Sequence, residues 1–406
     1  MDLFNTETES IFKRRDTLQD GFVPDDLAGN TRDEEMQMLA TALQPVIHGN
    51  SPDNVILRGP NGSGKTAAVR IVLDILSHEI SQIEEREFSP IIVNGSQHNT
   101  GYQLTRDLAN RLHRDKEFKQ GHSTSSLLDV VADGIASLPG IVVIAIDELS
   151  DIDDIDKLLY LLTRSSSHEK LNSTKLGVLA TTTNNSFKEE LSSDVVSTLG
   201  QRTISFEPYT ADDLQEILWH RVEQAFEEGT VDQAAVSLCA ALASRQGGDA
   251  RFALDILKMA GDISSQTGHE QVTVDQIEAA RDQWDAERTK TLVTSVPLKK
   301  RQVICAFAEL AHIEGCEQAR TKQITERYKR VAERSKSAEL VSGRMVDRYL
   351  RSFVDTGLLE SELHQHSEGT WRTYRFEFSV ENVLSALKTD FHQQRIAPHD
   401  DLGDGW

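Results

Sequence analysis

The chain has 406 residues, 43 Lys and Arg against 65 Asp and Glu, a formal net charge of -22 and 38% apolar residues. That length allows about two to four domains with sizeable cores, and no apolar run approaches the roughly 20 residues that a membrane span needs. Cys239, Cys305 and Cys316 lack metal-ligand or disulfide spacing, and the start Met-Asp-Leu-Phe is no basic, apolar leader, so a reducing cytoplasm is the expected setting.

Residues 1–21 read as a flexible extension. The apolar run Asn54-Val55-Ile56-Leu57-Arg58 then leads straight into Gly59-Pro60-Asn61-Gly62-Ser63-Gly64-Lys65-Thr66, which opens a helical stretch over 66–76. This is the full phosphate-binding loop pattern at a strand-to-helix junction. Its glycines let the backbone aim successive N–H groups at phosphate oxygens, and the helix N-terminus adds partial positive charge. Lys65 reaches the β- and γ-phosphates, and Thr66 offers a hydroxyl to Mg²⁺. ATP or ADP with Mg²⁺ is therefore the expected cofactor. A glycine-rich turn that merely matches the pattern is the competing reading, disfavoured by the strand and helix on either side.

After a short run at 91–93 comes Ile141-Val142-Val143-Ile144-Ala145-Ile146-Asp147-Glu148, an all-apolar strand ending in two carboxylates. Strands of parallel sheets, buried on both faces, look like this. Asp147 can hold the Mg²⁺, and Glu148 can accept the proton of an attacking water; an ordinary Asp-Glu turn is the alternative. Runs at 176–180 and 204–206 complete a parallel α/β sheet. After Pro208 only helical stretches follow, at 212–227, 232–245, 250–266 and 274–285, and they fit a small all-α lid.

From Pro297 the pattern gives helices at 299–313, 321–334 and 342–356, then the alternating run Trp371-Arg372-Thr373-Tyr374-Arg375-Phe376-Glu377-Phe378. Three helices and a hairpin make a winged helix. Arg344, Arg348 and Arg351 recur at i, i+4 and i+7, on one face, while Met345, Tyr349 and Leu350 are free to face a core. Such a stripe suits the major groove of duplex DNA, and a wing bearing Trp371, Arg372 and Arg375 suits the minor groove; a solvated helix face is the alternative. Lys322, Arg327, Lys329, Arg330 and Arg334 on the preceding helix either touch the DNA backbone or balance nearby acids. The charge distribution permits this. Between Val293 and Gln393 there are sixteen Lys and Arg against fourteen Asp and Glu, a balance of +2, so the other residues together carry -24. A carboxylate-rich surface also fits a salt-rich cytoplasm, where screening leaves short-range basic contacts usable.

The stretches Phe22-Val23-Pro24, Arg32-Asp33-Glu34-Glu35, Leu43-Gln44-Pro45-Val46, the phosphate loop, Ile146-Asp147-Glu148, Phe187-Lys188-Glu189-Glu190-Leu191, Phe206-Glu207-Pro208-Tyr209 and Gly248-Asp249-Ala250-Arg251 resemble the archaeal origin-recognition and helicase-loading initiators of the Orc/Cdc type. The resemblance implies an α/β fold, a P-loop AAA+ parallel-sheet base with an all-α lid and a C-terminal winged-helix domain. It sets expected limits of 1–21 for the extension, 22–207 for the base, 208–290 for the lid, 291–393 for the winged helix and 394–406 for a flexible tail. Arg251 falls where the family has its second sensor, a lid arginine that approaches the γ-phosphate; a surface arginine pairing with Asp255 is the plainer reading. The first sensor falls at Thr183 or Asn184, within a polar run that can be aligned by one residue either way. Residues 23–32, with Val23, resemble the part that packs on the adenine. The resemblance implies a helical insertion that touches DNA, expected at 113–125, with Arg114, Lys116, Lys119 and His122, a region that also reads as a polar loop.

One departure stands out. Residues 191–199, where relatives often carry an arginine reaching a neighbouring subunit's nucleotide, contain no basic residue, and Arg202 is the nearest candidate. Slow ATP hydrolysis follows, or hydrolysis completed by another initiator subunit. The implied function is a replication initiator that binds double-stranded origin DNA and recruits the MCM helicase. A paralogue acting as an ATP-switched transcriptional regulator, and a signalling ATPase whose winged helix binds protein, are the alternatives.

Overall fold

A computed structural model describes residues 11–19, 21–22, 31–113, 115–150, 152–200, 202–336, 339–366, 369–393 and 395–399. The chain divides into two compact units, Met1–Ile277 and Glu278–Trp406.

In the first unit five strands, β1 (Val55–Arg58), β2 (Phe88–Asn94), β3 (Ile141–Asp147), β4 (Leu176–Thr182) and β5 (Arg202–Ser205), form one parallel sheet in the order β2-β3-β4-β1-β5. β3 and β4 are buried at every position, as interior strands covered on both faces must be. Pro90 is tolerated in β2 because that strand is an edge. On one face α1 (Asp33–Ile47) and α2 (Lys65–Ser81) bury Leu39, Leu43, Val69 and Leu73 against Val55, Leu57 and Val143. On the other, α3 (Gly101–Leu112), α4 (Thr124–Ala136), α5 (Asp156–Thr163), α6 (Phe187–Glu190) and α7 (Ser193–Leu199) bury Leu104, Val131, Leu158, Phe187 and Val195 against Ile144, Ile146 and Val178. The 113–125 region, where the resemblance implies a helical insertion, is the connection between α3 and α4, and its described residues form a loop up to Ser123, the N-cap of α4. Phe118 anchors it between the His113 and His122 rings, while Arg114 lies outside the described residues.

The lid begins with α8 (Ala211–Ala225), α9 (Gln233–Arg245) and α10 (Ala250–Thr267). Their starts are set by caps: a capping box between Thr210 and Asp213, then Asp232 and Asp249, each accepting from first-turn N–H groups. The fourth lid helix, α11 (Val274–Thr294), runs beyond its expected end at 285, and the division between the units falls within it.

The expectation of a flexible extension over 1–21 is corrected for its described part. Residues 15–18 form a short 3-10 helix, Leu18 and Ile11 are buried, and the Phe12 ring lies 4.7 Å from that of Phe226. Arg15 pairs with Asp262 on α10, and the N–H groups of Lys13 and Arg14 donate to the Ala225 carbonyl. Burying a side chain like Leu18 stabilises by about 1.5–3 kcal/mol, enough to hold a polar segment against the lid.

The second unit contains α12 (Leu298–Glu314), β6 (Ala319–Arg320), α13 (Thr321–Arg334), α14 (Gly343–Asp355), β7 (Leu359–His366), β8 (Gly369–Phe376) and α15 (Val380–His392). The antiparallel order is β6-β8-β7, around a core of Phe307, Tyr328, Leu350, Phe353, Tyr374 and Leu387. The strand β6 and the helix α15 add to the expected three helices and hairpin. The tail is also corrected for its described part, 395–399: Ile396 is fully buried, Ala397 N donates to Ser335 Oγ at 2.9 Å, and His399 N donates to Glu309 Oε1 at 3.1 Å. Glu309 is itself inaccessible, its pKa raised by burial and opposed by Arg334 and Arg327. Among the described residues no helix is long and apolar enough to cross a membrane.

Candidate nucleotide site and winged-helix surface

The phosphate loop leaves the C-terminal end of β1 and turns into α2. Gly59, Gly62 and Gly64 take φ of 155°, 68° and 93°, the latter two in the left-handed region that glycine enters without penalty. A Cβ at Gly59 would lie 2.1 Å from the Phe206 carbonyl oxygen, so close packing demands glycine there as well. Lys65 Nζ donates to the carbonyls of Gly59 at 2.8 Å and Pro60 at 2.7 Å. Burial pushes its pKa down to about 8, with Asp147 working against that shift and Arg251 adding to it.

β3 and β4 deliver the acidic end of the site. Asp147 accepts from Thr66 Oγ1 at 3.0 and 2.9 Å and from Thr181 Oγ1 at 2.5 Å. Thr181 Oγ1 in turn accepts from Glu148 N at 2.9 Å, so one hydroxyl fixes both acidic residues. Glu148 sits at φ 59°, a left-handed conformation that costs a non-glycine residue energy and recurs where function constrains the backbone. Its Oε1 lies 4.0 Å from Arg251 Nη1, contributed by the lid.

These groups converge on a cavity of about 410 Å³. Its lining includes Gly62, Lys65, Thr66, Asp147, Glu148 and Arg251, and also Leu18, Phe22, Ile217 and Arg221. The docked N-terminal segment thus forms part of the wall. Val23 lies outside the described residues. Of the two residues weighed as first sensor, Thr183 lines the cavity, whereas Asn184 does not, its Nδ2 donating to Glu190 Oε1 at 2.8 Å. Thr181, passed over in the sequence, stands nearest the carboxylates because the β3–β4 register sets Ala180 beside Ile146. Arg70, one turn along α2 from Thr66, also lines the cavity and carries no motif signal. Arg202 is set away from the loop: it pairs with Val55 at the opposite end of β1, and its Nε bonds Asp53 Oδ2 at 2.7 Å.

In the winged helix, α14 buries Val346, Leu350 and Phe353, with Tyr349 packed against the same core and Met345 half-buried. Arg344, Arg348 and Arg351 are exposed, and Arg351 pairs with Asp347 at 2.9 Å. The basic residues of α13 divide: Arg327 and Arg334 turn inward to Glu309, while Lys322, Lys329 and Arg330 are exposed. The wing residues do not share a face. Side chains alternate along β8, so Trp371 and Arg375 lie on one side and Arg372 on the side of buried Tyr374. Arg320 lies 4.3 Å over the Trp371 ring, Arg372 Nη1 donates to Ser361 Oγ at 2.7 Å, and Arg375 pairs with Glu360.

Comparison with known proteins follows the same division. Residues 31–173 match the AAA ATPase domain, 215–282 the Cdc6 AAA+ ATPase-type lid domain and 291–386 the CDC6 C-terminal winged helix domain. The chain is similar to ORC1-type DNA replication protein 2 of Haloarcula marismortui, 32% identical over 94% of this chain and 92% of that protein. It is similar to ORC1-type DNA replication protein 8 of Halobacterium salinarum, 31% identical over 96% and 97%. Among solved structures, that of the Aeropyrum pernix ORC1 protein in complex with DNA superposes with a TM-score of 0.81 at 31% identity, covering 94% of this chain and 98% of that one.

Proposed function

The chain belongs to the ORC1-type family of AAA+ DNA replication proteins, and on that premise we propose that it is an ATP-dependent initiator that binds origin duplex DNA and recruits the MCM helicase, switched by ATP binding and slow hydrolysis. The observation that carries this reading is the convergence of Lys65, Thr66, Asp147, Glu148, Thr181 and Arg251 on one cavity. The residues present fit a magnesium nucleotide. Left-handed glycines open the loop, a buried cation calls for an anionic partner, and Thr66 with Asp147 presents the hard oxygens that Mg²⁺ prefers.

In this reading the backbone of 59–66 and Lys65 hold the phosphates, Thr66 and Asp147 the Mg²⁺, and the apolar lining residues Leu18, Phe22 and Ile217 the purine. Bound ATP supplies the labile phosphoanhydride, and its Mg²⁺ neutralises developing charge. Thr181 orients Asp147 and Glu148 together. Glu148 takes the proton of the attacking water, and Arg251 brings a lid cation beside it, with Thr183 as a further polar group of the lining. Turnover is slow because 191–199 offers no arginine to a neighbouring subunit and Arg202 is engaged by Asp53; such an arginine contributes roughly 10³–10⁵ in rate.

On the second unit, Arg344 and Arg348 bind DNA in the major groove, with Arg351 beside them after exchange from Asp347, and Trp371, Arg372 and Arg375 line the wing. Mapping the protein's sites in cells tests the role. One or two intergenic inverted repeats, with MCM recovered there only when ATP is retained, support initiation. Occupancy of many promoters without MCM would establish the regulator instead.

A further inference from the structure

Three consecutive residues of the phosphate loop are each held from outside it. The Gly62 carbonyl accepts from Ala250 N at 3.3 Å, and a Cβ at Gly62 would lie 1.8 Å from Asp249 Oδ1. The Ser63 carbonyl accepts from Arg32 Nε at 3.1 Å. A Cβ at Gly64 would lie 2.5 Å from the Tyr209 hydroxyl. Asp249 caps α10, the helix that carries Arg251, and Tyr209 stands in the link between β5 and α8.

Arg32 touches both sides of this junction. Its Nη2 donates to the Glu207 carbonyl in the same link, its guanidinium lies 4.0 Å over the Tyr209 ring and 5.5 Å from that of Phe206, and Nη1 pairs with Glu35 Oε1 at 3.0 Å. The residue is only 6% exposed and is not part of the cavity wall, so it acts through others. Burying a guanidinium is costly unless its donors are matched. Here two of the matches are main-chain carbonyls from separate segments, reached by two different nitrogens of one rigid planar fork, a spacing that the single nitrogen of an ammonium lacks.

We propose that Arg32 is a positioning residue that braces the phosphate loop against the base-to-lid link, so that the setting of Arg251 and the loop's hold on the triphosphate change together. This rests on the nucleotide reading of the cavity. When the brace is intact, the Gly62–Ala250 bond keeps the start of α10 on the loop and Arg251 beside Glu148. Replacing the fork by a point charge lets the lid settle independently.

The experiment uses the full chain as wild type, Arg32→Lys, Arg251→Ala and the double variant, with fluorescent ADP and ATP analogues titrated to equilibrium. In the wild-type background Arg251→Ala is expected to weaken ATP about tenfold relative to ADP, and in the Arg32→Lys background less than about twofold, the non-additivity of residues acting as one unit. Amide exchange on nucleotide-free protein gives a readout independent of binding: the Ala250 amide exchanges faster in Arg32→Lys while amides of β3 do not. If Arg32→Lys shows no cooperative melt, Glu35→Gln, which weakens only the Nη1 interaction, is read in the same way with a smaller effect. An equal Arg251 effect in both backgrounds, or unchanged exchange at Ala250, overturns the brace. Failure of the wild type to bind either nucleotide overturns the proposed function first.

Discussion

Raising the pH should loosen nucleotide binding before it harms the fold, because Lys65 is held with its pKa pushed down to about 8. The largest cause is burial, which penalises the ammonium; Asp147, Glu148 and Asp249 favour the charge, and Arg251 opposes it. In the free protein about three quarters of Lys65 is charged at pH 7.5 and about a tenth at pH 9, given that midpoint. If only the charged form binds, Kd should rise about eightfold over that interval and about tenfold per unit beyond it. ADP is the cleaner ligand, since phosphate loses its last proton near pH 6 and is fully ionised across the window. The unfolded chain binds more protons than the folded one between about pH 8 and 10.5, so Lys65 makes the nucleotide-free fold more stable as the pH rises there. Binding and stability should therefore move in opposite directions. Calorimetric titration of ADP at several pH values, beside a Lys65→Arg control that stays charged, measures the first; denaturant melts measure the second. A wild-type Kd that is flat from pH 7.5 to 9.5, or that rises equally in the Arg variant, refutes the reasoning.

Arg344→Ala with Arg348→Ala should weaken duplex binding and flatten its salt dependence by about 0.9 in slope for each phosphate no longer neutralised, whereas Arg351→Ala, already paired with Asp347, should cost less; equal weakening in a fluorescence titration across salt concentrations would reject that ranking. Ile396→Ala empties a fully buried slot and should lower stability by about 2–5 kcal/mol in denaturant melts, where a flexible tail would give no change. Leu18→Ala should both destabilise by a similar amount and weaken nucleotide binding, because this side chain is fully buried and lines the cavity; reduced stability with unchanged affinity would remove the N-terminal segment from the site.

The phosphate loop and the Asp147-Glu148 strand end were legible because their chemistry needs particular residue types at fixed spacing beside apolar runs of strand length. What could not be read depended on distant partners. Ile11, Phe12 and Leu18 are scattered apolar residues in a polar stretch, with no helical or strand period, and their seat on Phe226 and α10 lies more than two hundred residues away. Ile396 is likewise a lone apolar residue whose slot is built by α12 and its neighbours. Thr181, Thr183 and Asn184 belong to one polar run, and only the pairing of β4 with β3 brings Thr181 to Asp147. On the wing, the alternation that identified β8 as a strand also sends Arg372 to the side opposite Trp371 and Arg375. A period of two forbids all three from meeting one groove in the same way.

The twisted main chain at Glu148 is a standing cost of keeping an acid at that post. An asparagine or glycine there would relax the peptide and leave a sturdier protein stripped of the acid proposed as its proton acceptor. Selection for heat tolerance alone would thus drift toward removing this acid, one of four described non-glycine residues held at positive φ.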